Sequence, residues 1–397
     1  MSIAADRIRL ESIAIQDFRN LDRVNLNFPT EGVALIGDNG HGKTNLLEAI
    51  YYLQILRSIR DARDQDLTRF DATGFHIAAK VFSPDAHEIG VGFERASRKK
   101  KITIDGVVPR RLSDALGKLP SVMFSPRDLE LVSGAPSERR RYIDLLLALT
   151  DRKYLNALQH YRANLARRNA ALRNATKRGA NDSEVSVWEP ALAEHGSVLI
   201  ESRARWVSDW ANEYAQVSEA IGEKGRARIR YVCAFADSEA RHDVLLAALE
   251  EKRPLDMRRG ITSVGPHRDD LELTLDGRDL RLFGSAGQQR TAAIALRMLE
   301  AATLKNHAGA EPLLLLDDPF AELDIRRAAR ILLVLEKRGI GQTILAVPRE
   351  SDIPPGLMRL ERLHVREGAV TRETGGGKRE TATTLLPAAR YPPNAIR

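Results

Sequence analysis

Near the N-terminus, Gly37-Asp38-Asn39-Gly40-His41-Gly42-Lys43-Thr44 has the residue types and spacing of a phosphate-binding loop. Glycines let successive backbone N–H groups wrap around an anion with no side chain in the way. Lys43 offers a point charge to the β- and γ-phosphates of a nucleotide, and the Thr44 hydroxyl suits Mg²⁺. A helix is expected from residue 43 to about 53, its positive N-terminus facing the same anion, after a short buried strand at Gly32–Ile36. Such a loop needs a carboxylate at the end of a second buried strand, and Pro312-Leu-Leu-Leu-Leu316-Asp317-Asp318 provides one. Asp317 is expected to share Mg²⁺ with Thr44, and Asp318 to orient or deprotonate an attacking water.

Between these motifs lies Phe283-Gly284-Ser285-Ala286-Gly287-Gln288-Gln289-Arg290, followed by an Ala-rich helix running through Leu299. It resembles the signature of ABC-type ATPases, although a serine at that place also reads as a helix N-cap. The resemblance implies an ATP site closed in trans: Ser285, the Gly287 backbone and Gln288 of one subunit cover the nucleotide of another. Ala321-Glu322-Leu323-Asp324 then stands as the D-loop, with Asp324 near the nucleotide.

Further strings narrow the resemblance. Phe18-Arg19-Asn20-Leu21, Asn45 to Ile50 after the loop, Arg57-Ser58-Ile59-Arg60 and Phe124-Ser125-Pro126-Arg127-Asp128-Leu129 are similar to RecF. So are Gly134-Ala135-Pro136-Ser137-Glu138-Arg139-Arg140-Arg141 with Asp144, and Gly265-Pro266-His267-Arg268-Asp269-Asp270-Leu271. The resemblance covers residues 8 to about 350 and implies an α/β ABC-type head with a mixed sheet and an inserted, mainly helical arm (lobe II). It further implies ATP and Mg²⁺ as cofactors, an ATP-dependent homodimer on duplex or gapped DNA, and RecR with RecO as partners in loading RecA. Arg19, Arg60 and Asn45 join the nucleotide contacts. In one departure, Pro348-Arg349-Glu350 follows the strand Thr343–Val347, where ABC heads carry a switch histidine.

Composition agrees. The 397 residues, 43% hydrophobic, suffice for a large core in two structural units. A formal charge of +7 suits a polyanionic partner. The single Cys233 excludes an internal disulfide framework and fits a reduced, cytoplasmic setting. No apolar run approaches the ~20 residues that cross a bilayer, so no membrane partner is expected.

Turn signals and periodicity divide the chain into a head at 1–117 and 265–367, an arm at 118–264 and a flexible tail at 368–397. Strands are expected at 76–82, 88–94 and 101–105. Residues 151–178 carry a helical seam of Tyr154, Leu158, Tyr161, Leu165 and Leu172, and a second helix reaches about Ile221, making a short two-helix arm. That arm is too short for an SMC coiled coil.

Arg162, Arg167, Arg168 and Arg173, with Lys177 and Arg178, form a stripe that suits DNA phosphates, as do Lys99 and Lys100 in a basic hairpin turn. Arg139-Arg140-Arg141 is assigned a structural role. His267, with no second His or Cys at ligand spacing, is read as a hydrogen-bonded junction element. Two functional classes follow: an ATPase whose slow turnover times DNA release, and a DNA clamp for which ATP is only a ligand.

Overall fold

Strand Gly32–Ile36, buried along its whole length, lies inside a seven-stranded mixed sheet. From edge to edge the order is Lys378–Thr381, Ala369–Thr374, Glu361–Arg366, Gly32–Ile36, Thr343–Val347, Leu313–Asp317 and Ser121–Phe124. The last five are parallel and the first two run antiparallel as an edge hairpin. Continuous apolar runs such as Thr343–Val347 are what a parallel sheet covered on both faces requires. The structure is a computed structural model that describes residues 8–83, 85–178, 182–235, 240–319, 325–339, 341–374 and 378–381.

A five-stranded antiparallel sheet accompanies it, in the order Leu21–Asn27, Arg9–Phe18, Gly74–Ser83, Asp85–Glu94 and Lys99–Ile104. The three strands read from the alternation at 76–82, 88–94 and 101–105 are present, each starting earlier than expected, and the third stops at Ile104. Phe18, Tyr52 and Phe75 meet edge to face at 5.3 to 6.1 Å, joining this sheet to the helix Lys43–Ile55. That helix is buried from Leu46 to Ile55 on all sides, a core element rather than an amphipathic one.

The chain divides into two compact units, Met1–Pro126 with Ala301–Arg397, and Arg127–Glu300. Residues 265–300 therefore cluster with the helical segment instead of joining the head at 265. Strand pairing explains it: Asp270–Leu275 pairs antiparallel with Ala227–Val232, and Arg139 grips the Asp270 carboxylate through two bonds of 2.8 Å. Within this unit the helices Arg152–Arg178 and Glu189–Ile221 pack together, with Tyr154, Leu158, Tyr161 and Leu172 buried as expected and Leu165 half-buried.

The arm is more than two helices. A further helix, Arg241–Arg259, packs on both, and the unit also holds the helix Pro136–Thr150 and a three-stranded sheet of Arg278–Asp279, Asp270–Leu275 and Ala227–Val232. Helix Arg241–Arg259 leaves little trace in the sequence, since it buries only Leu245, Leu249 and Asp256 and contains Pro254.

The tail expected from 368 also needs correction. Glu367 (φ +50°) and Gly368 (φ +83°) make a turn from which Ala369–Thr374 returns to pair with Glu361–Arg366, burying Val370. The expected tail residues Gly375-Gly376-Gly377 and 382–397 lie outside the described residues. Among those described, no helix is long and apolar enough to cross a membrane.

Candidate nucleotide-binding site

The loop Gly37–Gly42 leaves the C-terminal end of strand Gly32–Ile36 and runs directly into helix Lys43–Ile55. Gly40 (φ +85°) and Gly42 (φ +110°) sit in the left-handed region that favours glycine. At Gly37 a Cβ would come 2.2 Å from the Val365 carbonyl oxygen, and at Gly42 one would meet the Asn20 side chain at 2.9 Å. Nothing lies within 4 Å of the corresponding position at Gly40. The loop is packed from behind and open at its turn.

Two hairpin turns of the first unit hold it in place. Asn20 accepts a bond of 2.8 Å from Asn45. His41 is held by the Glu367 N–H on its Nδ1 (2.9 Å) and by the Gly368 N–H on its carbonyl (2.8 Å). Asp38 and Asn39 are exposed on the loop rim.

Lys43 folds back over the loop, its ammonium donating to the carbonyls of Gly37 and Asp38, the latter at 2.9 Å. Burial pulls its pKa below the usual lysine value, against the opposing charges of Asp317, Asp318 and Asp38. Thr44 donates its hydroxyl to Asp317 Oδ1 at 2.9 Å. Asp317 lies two strands away from the loop strand, so only the parallel sheet brings the pair together. Burial raises the Asp317 pKa above the usual carboxylate range, opposed by the Thr44 bond and the Arg60 charge. A hydroxyl and a half-buried carboxylate side by side are the kind of hard-oxygen donors that suit Mg²⁺, which keeps water and phosphate oxygens as its other ligands. Asp318 follows at φ +46°, a sparsely populated conformation for a non-glycine residue, pinned by its N–H to the Ala346 carbonyl at 2.9 Å.

Arg19 and Arg60, expected near the nucleotide, meet on a residue that sequence reasoning passed over, Glu48. Its signal was available: one acid inside the apolar run Leu46-Leu47-Glu48-Ala49-Ile50. After strand Thr343–Val347, Arg349 pairs with Asp352, and no histidine stands in that loop.

The signature residues lie in the second unit. Ser285 and Gln288 cap helix Ala286–Ala308 reciprocally, at 2.9 and 3.3 Å, with Ser285 exposed and Gly287 half-buried on the first turn. Asp324 and the rest of the D-loop lie outside the described residues.

The proposed DNA stripe does not survive whole. Arg162, half-exposed and bonded to Asp144 at 2.9 Å, Arg167 over the Trp188 ring, and Arg173 all face solvent. Arg168 does not: it is fully buried, bound to Glu189 (2.9 Å) and Asp256 (2.8 Å), because neighbours on a helix such as Arg167 and Arg168 lie about 100° apart and cannot share one face. In the basic hairpin, Lys99 is exposed, whereas Lys100 is drawn onto Asp64 and the Leu56 carbonyl, both at 2.7 Å.

Arg139 is a buried strut to Asp270. His267 is a junction element, accepting at Nδ1 from the Tyr161 hydroxyl (2.6 Å) and donating from Nε2 to the Thr262 carbonyl (3.1 Å). Among the described residues no group of three or more His, Cys, Asp or Glu side chains could hold a metal.

Residues 9–352 match the family described as the RecF/RecN/SMC N terminal domain. The chain is 35% identical over 383 residues to the DNA replication and repair protein RecF of Herpetosiphon aurantiacus, covering 90% of this chain and 98% of that protein. It is 36% identical over 386 residues to RecF of Chloroflexus aurantiacus, covering 90% and 97%. The fold superposes on a structure of the recombination mediator protein RecF-ATP in the RecFOR pathway with a TM-score of 0.86, at 29% identity over 94% of this chain and all of the other. It matches the RecF-ATPrS structure with a TM-score of 0.83, at 31% identity over 92% of this chain and 98% of the other. A likeness to the Smc head domain of Pyrococcus furiosus, with a TM-score of 0.54 at 17% identity, extends to the fold alone.

Proposed function

The chain belongs to the RecF family of DNA replication and repair proteins, and from that premise we propose that it is an ATP-gated, DNA-binding protein of recombinational repair. The observation that carries this reading is the Thr44–Asp317 bond of 2.9 Å beside a glycine loop open at Gly40. It supports a reading in which Thr44 and Asp317 would offer Mg²⁺ two donors next to a cradle for phosphates. Support for ATP as the nucleotide comes from the RecF structures named for ATP and ATPrS.

The backbone N–H groups from Asp38 to Gly42 wrap the phosphates, and Lys43 exchanges its two carbonyls for β- and γ-oxygens. Thr44 and Asp317 would hold a Mg²⁺ ion, whose charge would offset that of the phosphates. Asp318 orients water and takes its proton. Ser285, Gly287 and Gln288 of a second copy cover the nucleotide, with Asp324 beside them, so that two ATP molecules join two heads. Hydrolysis then parts the dimer and releases duplex or gapped DNA. RecR, with RecO, is the expected partner in loading RecA, and the basic surface residues Arg162, Arg167, Arg173 and Lys99 contribute phosphate contacts.

A second reading, in which ATP is only a ligand, is favoured by the Arg349–Asp352 pair in a loop without a switch histidine. Asp318→Asn separates the two: repair that survives without hydrolysis selects the clamp. The reading as a whole is tested by the anisotropy of labelled duplex DNA with and without ATP and Mg²⁺. Tighter binding with ATP that vanishes in Lys43→Met supports gating, whereas binding indifferent to ATP refutes it.

A further inference from the structure

Beyond the second acidic strand the chain forms the helix Ile325–Arg338, and beyond strand Thr343–Val347 it runs through two short turns at Glu350–Asp352 and Pro355–Leu357. Residues of both stretches line a groove of about 820 Å³ in the first unit. Leu332 and Leu333 contribute from the helix, and Pro348, Ile353 and Pro354 from the other stretch. Leu333 remains 49% exposed. A mainly apolar concavity of that size, edged by a few charges, has the dimensions of a binding site.

Charge narrows what would fill it. Among the described residues that line the groove, Asp318, Glu336 and Asp352 are acids and Arg349 is a base, itself paired with Asp352 at 3.2 Å. An apolar occupant that carries cations and no acids complements such a lining. This chain holds one within reach. Strand Lys378–Thr381 runs antiparallel to Ala369–Thr374, itself antiparallel to Glu361–Arg366, so it points the same way as the five parallel strands. Cross-strand pairs set Thr381 in one row with Thr371, His364, Ile36 and Val347, and Val347 lines the groove. Four strand spacings of ~4.8 Å make that row about 19 Å long.

Residues 382–397 follow Thr381, and a segment of that length extends to roughly 50 Å. It contains Leu385, Leu386, Tyr391 and Ile396, the cations Arg390 and Arg397, and no Asp or Glu. Pro387, Pro392 and Pro393 each fix φ, which lowers the ordering cost of laying the segment along a surface. Attachment to the same chain supplies a local concentration that a free partner lacks.

We propose that the groove lined by helix Ile325–Arg338 and residues 348–356 is an intramolecular docking site for residues 382–397. The apolar side chains of the segment pack on the leucine and proline lining, and its arginines face the acids. Asp318 belongs to that lining, so docking closes the groove beside the carboxylate assigned above to the attacking water.

The test is photocrosslinking of the full chain with p-benzoylphenylalanine in place of Leu333, and as a control in place of Val108, which is 55% exposed after strand Lys99–Ile104. Mass spectrometry is expected to map links from position 333 to residues 382–397 within one molecule, at least about tenfold more often than from position 108. L385D/L386D, which puts charge on the apolar stretch, should cut that yield about tenfold. Links from position 333 found only in covalent dimers would hand the groove to a second copy. Equal yields from both positions would leave the segment without a docking place. Either result, or an unaltered yield in L385D/L386D, overturns the proposal. A readout without a probe is amide hydrogen exchange at 349–353, expected to be about threefold faster in L385D/L386D than in the unaltered chain. Equal exchange in the two also overturns it. Both measurements are made without nucleotide, so their outcome is independent of the ATP reading.

Discussion

Both units bury charge, but they bury it differently. In the second unit every member of the network closes on a partner: Arg168 on Glu189 and Asp256, Arg203 on Asp144 (2.7 Å), the Tyr154 hydroxyl (3.0 Å) and the Pro266 carbonyl (2.7 Å). At the glycine loop of the first unit, Lys43 rests on two carbonyls and Asp317 on one hydroxyl, beside a turn where a Cβ on Gly40 would meet nothing within 4 Å. Shifted ionisation occurs in both, with His267 and Asp269 in one unit and Lys43 and Asp317 in the other. Perturbed titration therefore does not by itself distinguish a site from a strut. What distinguishes them is whether the donors are spent on one another or on weak, exchangeable partners beside open space.

The sharpest break of that comparison is Arg168→Ala. Removing it leaves Glu189 and Asp256 buried with a lost partner, and urea unfolding should show a loss of about 3–5 kcal/mol. ATP affinity of the folded fraction should stay unchanged. A drop in affinity without a drop in stability would erase the distinction between strut and site.

Next is acid. Burial, aided by the charges of Arg268 and Arg140 and opposed by the Thr262 carbonyl, brings the His267 pKa from 6.5 to about 4. The folded form thus binds its proton less readily than the unfolded one. Stability from this group is complete above pH 6.5 and is lost as pH falls towards 4, by roughly 3 kcal/mol across that window. His267→Gln should flatten the slope of unfolding free energy against pH there, and an unaltered slope would remove His267 from the account.

Lys43→Met comes third, with an expected loss of about a hundredfold in ATP affinity, or ~2.7 kcal/mol, by calorimetric titration. Its melting temperature without nucleotide should change little, since the partners it leaves are carbonyls at the loop mouth. The smallest effects belong to the exposed stripe. Arg167→Ala and Arg173→Ala should each weaken DNA binding roughly two- to threefold and reduce the salt slope by about one. A steep loss at one position would mean a specific contact rather than a share in a diffuse field.

Much of the first unit was legible beforehand because its information is local. Glycine spacing, a charged residue at a helix start and an apolar run ending in Asp317-Asp318 act over a few residues each, and the strands at 76–82, 88–94 and 101–105 show simple alternation. Helix Arg241–Arg259 of the second unit, with Leu245 and Leu249 as its buried apolar anchors, has no such stripe. The strand Ala369–Thr374, second from the sheet edge, was hidden in a segment read as a tail, although Glu367-Gly368 is a hairpin turn in plain view.

Chain order and residue chemistry alone determined that this protein has a glycine-rich loop between a strand and a helix, a second strand ending in acids and a signature-like helix start. Only the tertiary structure decided that Asp317 reaches Thr44 across an intervening strand, that Arg168 turns inward while Arg167 turns outward, and that Arg19 and Arg60 converge on Glu48. The reason is physical. Backbone conformation and phosphate chemistry depend on neighbours in the chain, whereas the cost of burying a charge depends on which distant groups the fold brings to meet it.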